Sequence, residues 1–275
     1  MGVLPKVTCQ CSDALEKAVE QDPREIGKPF SVWTCLDLAE HLVEQGFELV
    51  SDETIRRALQ KLDFRIVRPV LSINSPDEQY ETKAAHLQAC QQLAREGKMI
   101  LLYEDEFDIN LLPGVIGCWT RRGCQRKIPT PGQNVKRYGF GTVHFTTGEL
   151  TYHTGDHKNS DGFIILLELL VAKYCPGETY DGPKIGLVID NFIIHHSKKT
   201  QAVLEKYADR IEIVPLPTYS PKLNIIELLW KYLRRRVTHN HLFKTIDNLV
   251  QAVLDFLKSL SQKPERVLSV VGYSV

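Results

Sequence analysis

The chain has 275 residues, 43% of them hydrophobic and 25% charged, with 34 basic and 34 acidic side chains that cancel to a formal charge of zero. That length accommodates one large domain plus a small one, and no apolar run approaches the ~20 residues of a membrane span or the pattern of a signal peptide. Seven cysteines without paired Cys-x-x-Cys spacing argue against a disulfide framework and against a zinc ribbon, so an intracellular protein is expected.

In chain order, Ser12 is expected to cap a short helix over 13–21, which Asp22 and Pro23 interrupt. Thr34 caps a second over 35–45, with Leu36, Ala39, Leu42 and Val43 at helical spacing and Gly46 as its stop. Ser51 caps a third over 52–62, which buries Ile55, Leu59 and Leu62 and turns Arg56, Arg57, Gln60 and Lys61 outward. Three short helices with a tight turn before the last form a helix-turn-helix pattern whose third helix would read a DNA groove. A packing module without DNA fits the same helices. Bases concentrate between Arg56 and Arg68 against a single acid, Asp63. Pro69 and residues 72–76 read as a linker, after which Ser75, Pro76 and Glu78 supply cap, first-turn proline and capping-box glutamate for a helix ending near Glu96.

From Lys98 the pattern predicts strands over 99–103, near 117–120, over 138–145 and 149–154, a helix over 160–174 and a strand over 185–189. A helix over 197–208, a strand over 211–214, a helix starting near Leu223 and a final helix over 246–260 follow. Strands joined by short turns pair antiparallel and those separated by helices pair parallel, so the class is α/β with a mixed sheet flanked by helices. Carboxylates stand at three notable points. Glu104, Asp105 and Glu106 follow the first strand, Asp190 and Asn191 end the strand 185–189, and Glu227 lies beside the apolar stripe Leu223, Ile226, Trp230, Leu233, Val237. Strand ends are where an α/β sheet presents its site, and hard divalent cations take carboxylate oxygens. Pairing of Glu227 with Lys231 or Arg234 at helical spacing is the alternative. Two acid-free basic runs fit either a phosphate backbone or solvated surface: residues 119–138, with Arg121, Arg122, Arg126 and Lys127, and residues 231–244, with Arg234 and Arg235.

The motifs YEDEF around Asp105, VIDNFIIHHS around Asp190 and YSPKLNIIELLW around Glu227 occur in that order. With them the chain, from about Pro29 to Leu260, resembles the DDE transposases of the mariner superfamily, in the bacterial insertion sequence 630 family. The resemblance implies a ribonuclease H-like sheet in which the first and fourth strands lie side by side. It implies a catalytic triad of Asp105, Asp190 and Glu227 holding two Mg²⁺ (or Mn²⁺) ions, and it selects Asp105 over Glu104, Glu106 and Asp108. Asn191 and His195 become auxiliary residues, and Ile225 stands where the family usually has proline. The implied activity is cut-and-paste transposition on double-stranded DNA, with terminal inverted repeats and a TA target, by at least a homodimer, in a bacterial cytoplasm at the nucleoid. DNA contacts are expected at Arg56, Arg57, Lys61, Arg121, Arg122, Arg126, Lys127, Arg234 and Arg235. The expected division is a helix-turn-helix domain over 1–70, a linker helix over 71–97, a catalytic domain over 98–262 and a tail over 263–275. Family members carry paired helix-turn-helix units, of which one is visible, so the first is expected to be missing. The rivals are a ribonuclease H-like nuclease on structured nucleic acid and an inactive, domesticated DNA-binding copy.

Overall fold

The computed structural model describes residues 9–67 and 75–272, and the chain divides into two compact units, residues 1–72 and 73–275. In the first unit, helices α1 (Cys9–Glu20), α2 (Cys35–Glu44) and α3 (Asp52–Lys61) close on a core of Leu15, Leu38, Leu42 and Ile55. Thr34 and Asp37 form a reciprocal capping box at the start of α2, and the Ser51 side chain accepts the Thr54 N–H at the start of α3. Ser12 lies inside α1 and caps nothing, because the helix already runs from Cys9. The buried stripe of α2 is Leu38, Ala39, His41 and Leu42, whereas Leu36 and Val43 are exposed. Both stripes share Ala39 and Leu42, and helical spacing alone does not decide between rows about one residue's turn apart. Arg68, Pro69 and Ser72 lie outside the described residues.

In the second unit, α4 (Tyr80–Arg95) leads to β1 (Ile100–Asn110), β2 (Lys136–His144), β3 (Leu150–Gly155) and α5 (Ser160–Tyr174). Then come β4 (Ile185–Ile189), α6 (Lys198–Lys206), β5 (Ile211–Pro215), α7 (Ile226–Leu233), α8 (Ile246–Ser261) and α9 (Pro264–Val270). The five strands are ordered β3-β2-β1-β4-β5, antiparallel from β3 to β1 and parallel from β1 to β5. This is the expected mixed sheet, with its first and fourth strands adjacent. One face packs on α4, α7, α8 and α9 through Tyr103, Phe107, Trp230 and Leu257, and the other on α5 through Leu102, Phe140, Phe163 and Leu187.

Five expectations change in this unit. No strand forms at 117–120, where the residues are exposed and unpaired, while β1 continues through its acids to Asn110 because β2 pairs with it over that length. Helix α4 begins only at Tyr80, without a side-chain cap. Ser75 instead donates to the Thr218 carbonyl, and the Asp77 carboxylate takes the Thr218 N–H at 3.0 Å and Lys83 Nζ at 2.8 Å. The Glu227 helix starts at Ile226, after a 3-10 turn over Pro221–Leu223, since Pro221 cannot extend a helix backwards. Within the stretch expected as a tail, Pro264–Val270 form α9, with Val267 and Leu268 buried, and residues 273–275 lie outside the described residues.

Glycine matters where β2 crosses β1. Gly139 sits opposite Phe107, and a Cβ there would come within 2.2 Å of the Phe107 ring, which lies 4.2 Å from Trp230 of α7. Gly139→Ala is therefore expected to cost about 1–3 kcal/mol in denaturant unfolding. It should also displace α7, and an unchanged unfolding midpoint would show that Phe107 yields freely.

Candidate active site

The β1–β4 register pairs Tyr103 with Val188, so Asp105 and Asp190, each two residues further on, emerge together at the same end of the sheet. Alternation along β1 puts Tyr103, Asp105 and Phe107 on the α7 side and Glu104 and Glu106 on the α5 side. Glu227 comes from the first turn of α7, which is held over β1 by Trp230 on Phe107. The chain entering α7 is fastened as well, because the buried Asn224 side chain donates to the Glu104 carbonyl at 2.8 Å. Asp105, Asp190 and Glu227 thereby line one open cleft of about 410 Å³, whose far wall is the loop Pro217–Pro221. That wall is clasped by Ser75 and Asp77, and Tyr219 holds φ 54 on its exposed rim, a conformation unusual for a bulky residue.

The electrostatics of the cleft are those of carboxylates short of cations. Burial, together with the charges of Glu106, Glu227 and Asp190, pushes the Asp105 carboxyl up to about 7. Burial and the Asp190 charge raise Glu227, against a pull downward from Arg234. Among the described residues no ion pair joins Glu227 to Lys231 or Arg234. Three carboxylates, contributed by the middle of β1, the end of β4 and the first turn of α7, are oxygen groups of the kind that could hold a hard divalent cation.

Asp105 keeps its proton up to about pH 7 when folded but releases it near 3.8 when unfolded, so its contribution to stability falls as pH rises between those values. Asp105→Asn removes that penalty, worth at most ~4 kcal/mol above pH 7. At pH 8 without divalent ions the variant should melt several degrees above the wild type. A lower melting temperature would contradict the crowding of charge described here.

The other expected residues fall in several settings. Asn191 lines the same cleft, and its side-chain oxygen accepts from His196 Nε2 at 2.8 Å. His195 is buried, with Nδ1 3.1 Å from the Asp190 carbonyl oxygen. Arg121, Arg122, Arg126 and Lys127 are exposed on the long β1–β2 loop, whose root is tied down by Asn240 to Gly114 and Ile116. Arg235 is exposed and Arg234 partly buried on a π-helical turn that continues α7. In the other unit Lys61 is exposed, but Arg56 and Arg57 both bond Glu53, at 2.6 Å and 2.8 Å. Those pairs, Arg56 first, hold the Glu53 carboxyl down to about 2. A larger groove of about 770 Å³ in that unit is lined by Trp33, Leu38, Leu59 and Phe64, and gathers no comparable set of carboxylates. The sequence pattern did not point to Asn224 as a strut, to the clasp of Asp77 on Thr218 or to the half-buried Lys158, and it presented Glu104 and Glu106 only as rivals of Asp105. Asn224 lay within the third motif and was legible there, whereas the Asp77 partner lies 141 residues away and left no local signal.

The profile of the DDE superfamily endonuclease family matches residues 100–250. An insertion element IS630 uncharacterized 39 kDa protein of Shigella sonnei is 34% identical over 252 residues, covering 91% of this chain and 71% of that protein. The transposable element Tc3 transposase of Caenorhabditis elegans is 30% identical over 168 residues, covering 58% of this chain and 49% of its own. The mariner Mos1 paired-end complex with Mg superposes with a TM-score of 0.65 at 15% identity, over 99% of this chain and 77% of that one. At that identity the likeness speaks for the fold.

Proposed function

Because the chain belongs to the DDE superfamily endonucleases, alongside transposase relatives, we propose that it is a DNA transposase that cuts element ends and joins them to target DNA through Asp105, Asp190 and Glu227. The observation that carries this reading is the single cleft into which β1, the end of β4 and the first turn of α7 deliver three carboxylates, one of them raised to about 7. The donor set fits a hard cation: all oxygen, mutually repelling and, among the described residues, without an ion-paired base at Asp105 or Glu227. Asp105, Asp190 and Glu227 would hold Mg²⁺ or Mn²⁺, and two ions is the count we propose. When bound, such ions supply charge that stabilises both the entering and the leaving oxygen of an in-line displacement at phosphorus.

The chain's own residues supply the rest. Trp230 on Phe107 and Asn224 on the Glu104 carbonyl keep Glu227 over β1. Asp77 and Ser75 hold the loop that walls the cleft. Arg121, Arg122, Arg126 and Lys127, with Arg234 and Arg235, grip phosphates, while Arg56, Arg57 and Lys61 on α3 read sequence from a major groove. Residues 1–70 act as the reader, 71–97 as its link and 98–262 as the catalytic domain. Double-stranded DNA is the partner. Terminal inverted repeats, a TA target, a homodimer on paired ends and a place at the bacterial nucleoid complete the reading. Among the described residues no helix is long and apolar enough to cross a membrane. A nuclease on the same fold would stop at cleavage, so joining of a cut 3′ end to a second duplex is the experiment that tests the proposal.

A further inference from the structure

Across the sheet from Glu227 lies a group of charged side chains that cleavage does not use. Glu104 and Glu106 flank Asp105 but face α5, where both are buried with His195. His195 Nε2 stands 3.5 Å from Glu104 Oε2 and 3.3 Å from Glu106 Oε1, and Lys158 Nζ stands 3.3 Å from Glu106 Oε2. The approaches to Nε2 are electrostatic contacts and not aligned hydrogen bonds, since among the described residues Glu104 Oε1 and Oε2, Glu106 Oε1 and His195 Nε2 all lack a hydrogen-bond partner. Burying such groups is costly. Burial, with the nearby acids, pushes Glu104 well up; burial works on Glu106 too, but His195 and Lys158 outweigh it and hold that carboxyl below its usual range.

The other side of the imidazole connects this cluster to the cleft. His195 Nδ1 donates to the Asp190 carbonyl at 3.1 Å and lies 3.5 Å from Asp190 Oδ1. The ring cannot easily shift. Phe163 packs on it at 4.5 Å, the Gln201 side chain donates to its own carbonyl at 3.0 Å, and Thr200 Oγ1 donates to the Ile194 carbonyl at 2.7 Å. The Asp190 side chain is half exposed, and besides His195 its carboxylate is met by the Phe192 N–H at 2.9 Å. Both nitrogens of His195 thus face oxygens, Nδ1 those of Asp190 and Nε2 those of Glu104 and Glu106.

We propose that His195 is a positioning residue that aims the Asp190 carboxylate into the cleft, with Glu106 fixing the ring from the opposite face of the sheet. The inference rests on the reading of Asp190 as a catalytic ligand. Outer partners of ligand side chains change metal affinity by roughly 10- to 100-fold when removed. Lys158 already brings a cation to Glu106, which favours a strut over a second metal site at this cluster.

The test is Mn²⁺ binding to the intact chain by calorimetry without DNA, together with the ion concentration for half-maximal cleavage. Glu106→Gln and His195→Gln, checked for folding by their melting temperatures, are expected to bind Mn²⁺ roughly 10- to 100-fold more weakly. They should recover part of their cleavage rate at saturating ion, and His195→Ala should recover less than His195→Gln. Wild-type Mn²⁺ affinity in the two folded glutamine variants overturns the positioning role, even where Asp190→Asn is defective and the triad stands. Wild-type binding and cleavage by Asp190→Asn overturns the triad and this role with it. One tightly held zinc or manganese per purified chain, lost in Glu104→Gln, overturns it as well. Should neither glutamine variant fold, ring ¹⁵N resonances decide: Mg²⁺ must shift those of His195 in the wild type and not in Asp190→Asn, and an absent shift overturns the role.

Discussion

Asp105→Asn, Asp190→Asn and Glu227→Gln are each expected to lower Mg²⁺-dependent DNA cleavage by roughly 10³-fold or more while leaving DNA affinity within a few fold. The asymmetry follows from where the three groups sit. They line a cleft at the end of the sheet, and the bases proposed to grip phosphate lie elsewhere, on the β1–β2 loop and the turn after α7. Ligands that act on charge developing in the transition state change rate and leave docking largely alone. The substitutions are close to isosteric, and Asp105→Asn is expected to stabilise the metal-free protein, so unfolding does not account for a loss. Near-normal cleavage by any one variant would remove that residue from the triad. Single-turnover cleavage of an end-containing duplex, with binding followed in parallel, measures both quantities.

Replacing Arg121, Arg122, Arg126 and Lys127 together by alanine is expected to weaken binding to every duplex by on the order of 10²–10³-fold near 0.15 M salt, and to reduce the salt slope by roughly four. All four are exposed on one loop that carries no acid between Trp119 and Tyr138, and Trp119 beside them is 99% exposed. Contacts made only to phosphate release counterions and carry no sequence information. Arg56→Ala and Arg57→Ala on α3 should behave differently, costing ~1–3 kcal/mol on the preferred sequence and relaxing discrimination. Both arginines are bound to Glu53 in the free chain, so reading a base edge requires them to share or leave that carboxylate. Glu53→Gln should therefore raise affinity for all duplexes while preserving preference. If Arg56 and Arg57 prove neutral for preference and the loop alters it, the N-terminal helices are a packing module.

The sequence was most legible where local chemistry and tertiary structure agree. Helix α5 and strand β4 fall at the positions their apolar patterns indicate, and Thr34 and Ser51 cap the helices they precede. The pairing of β1 with β4 came through the family resemblance, because periodicity alone does not order strands. What escaped were features set by distant partners. Polar β1 is a strand as far as Asn110 only because β2 pairs along it, and the apolar residues near Trp119 form none because nothing pairs with them. Ser75 opens a capping pattern with Pro76 and Glu78, yet its hydroxyl goes to the Thr218 carbonyl, next to the Asp77 carboxylate on the Thr218 N–H. In Glu104-Asp105-Glu106 alternation separates the middle residue from its neighbours, but it does not reveal that the neighbours' face is roofed by Phe163 and α5 and holds a buried histidine.

Strand joining tests the central claim most directly. A duplex with a pre-cut element end and a free 3′-hydroxyl, incubated with the full chain, Mg²⁺ and a TA-containing target, should give a covalently joined product. Chelation should abolish that product, and it should be absent from Asp105→Asn, Asp190→Asn and Glu227→Gln. Metal-dependent nicking with no joined product would mark the chain as a nuclease on this fold, and joining that survives all three substitutions would place the chemistry outside this cleft.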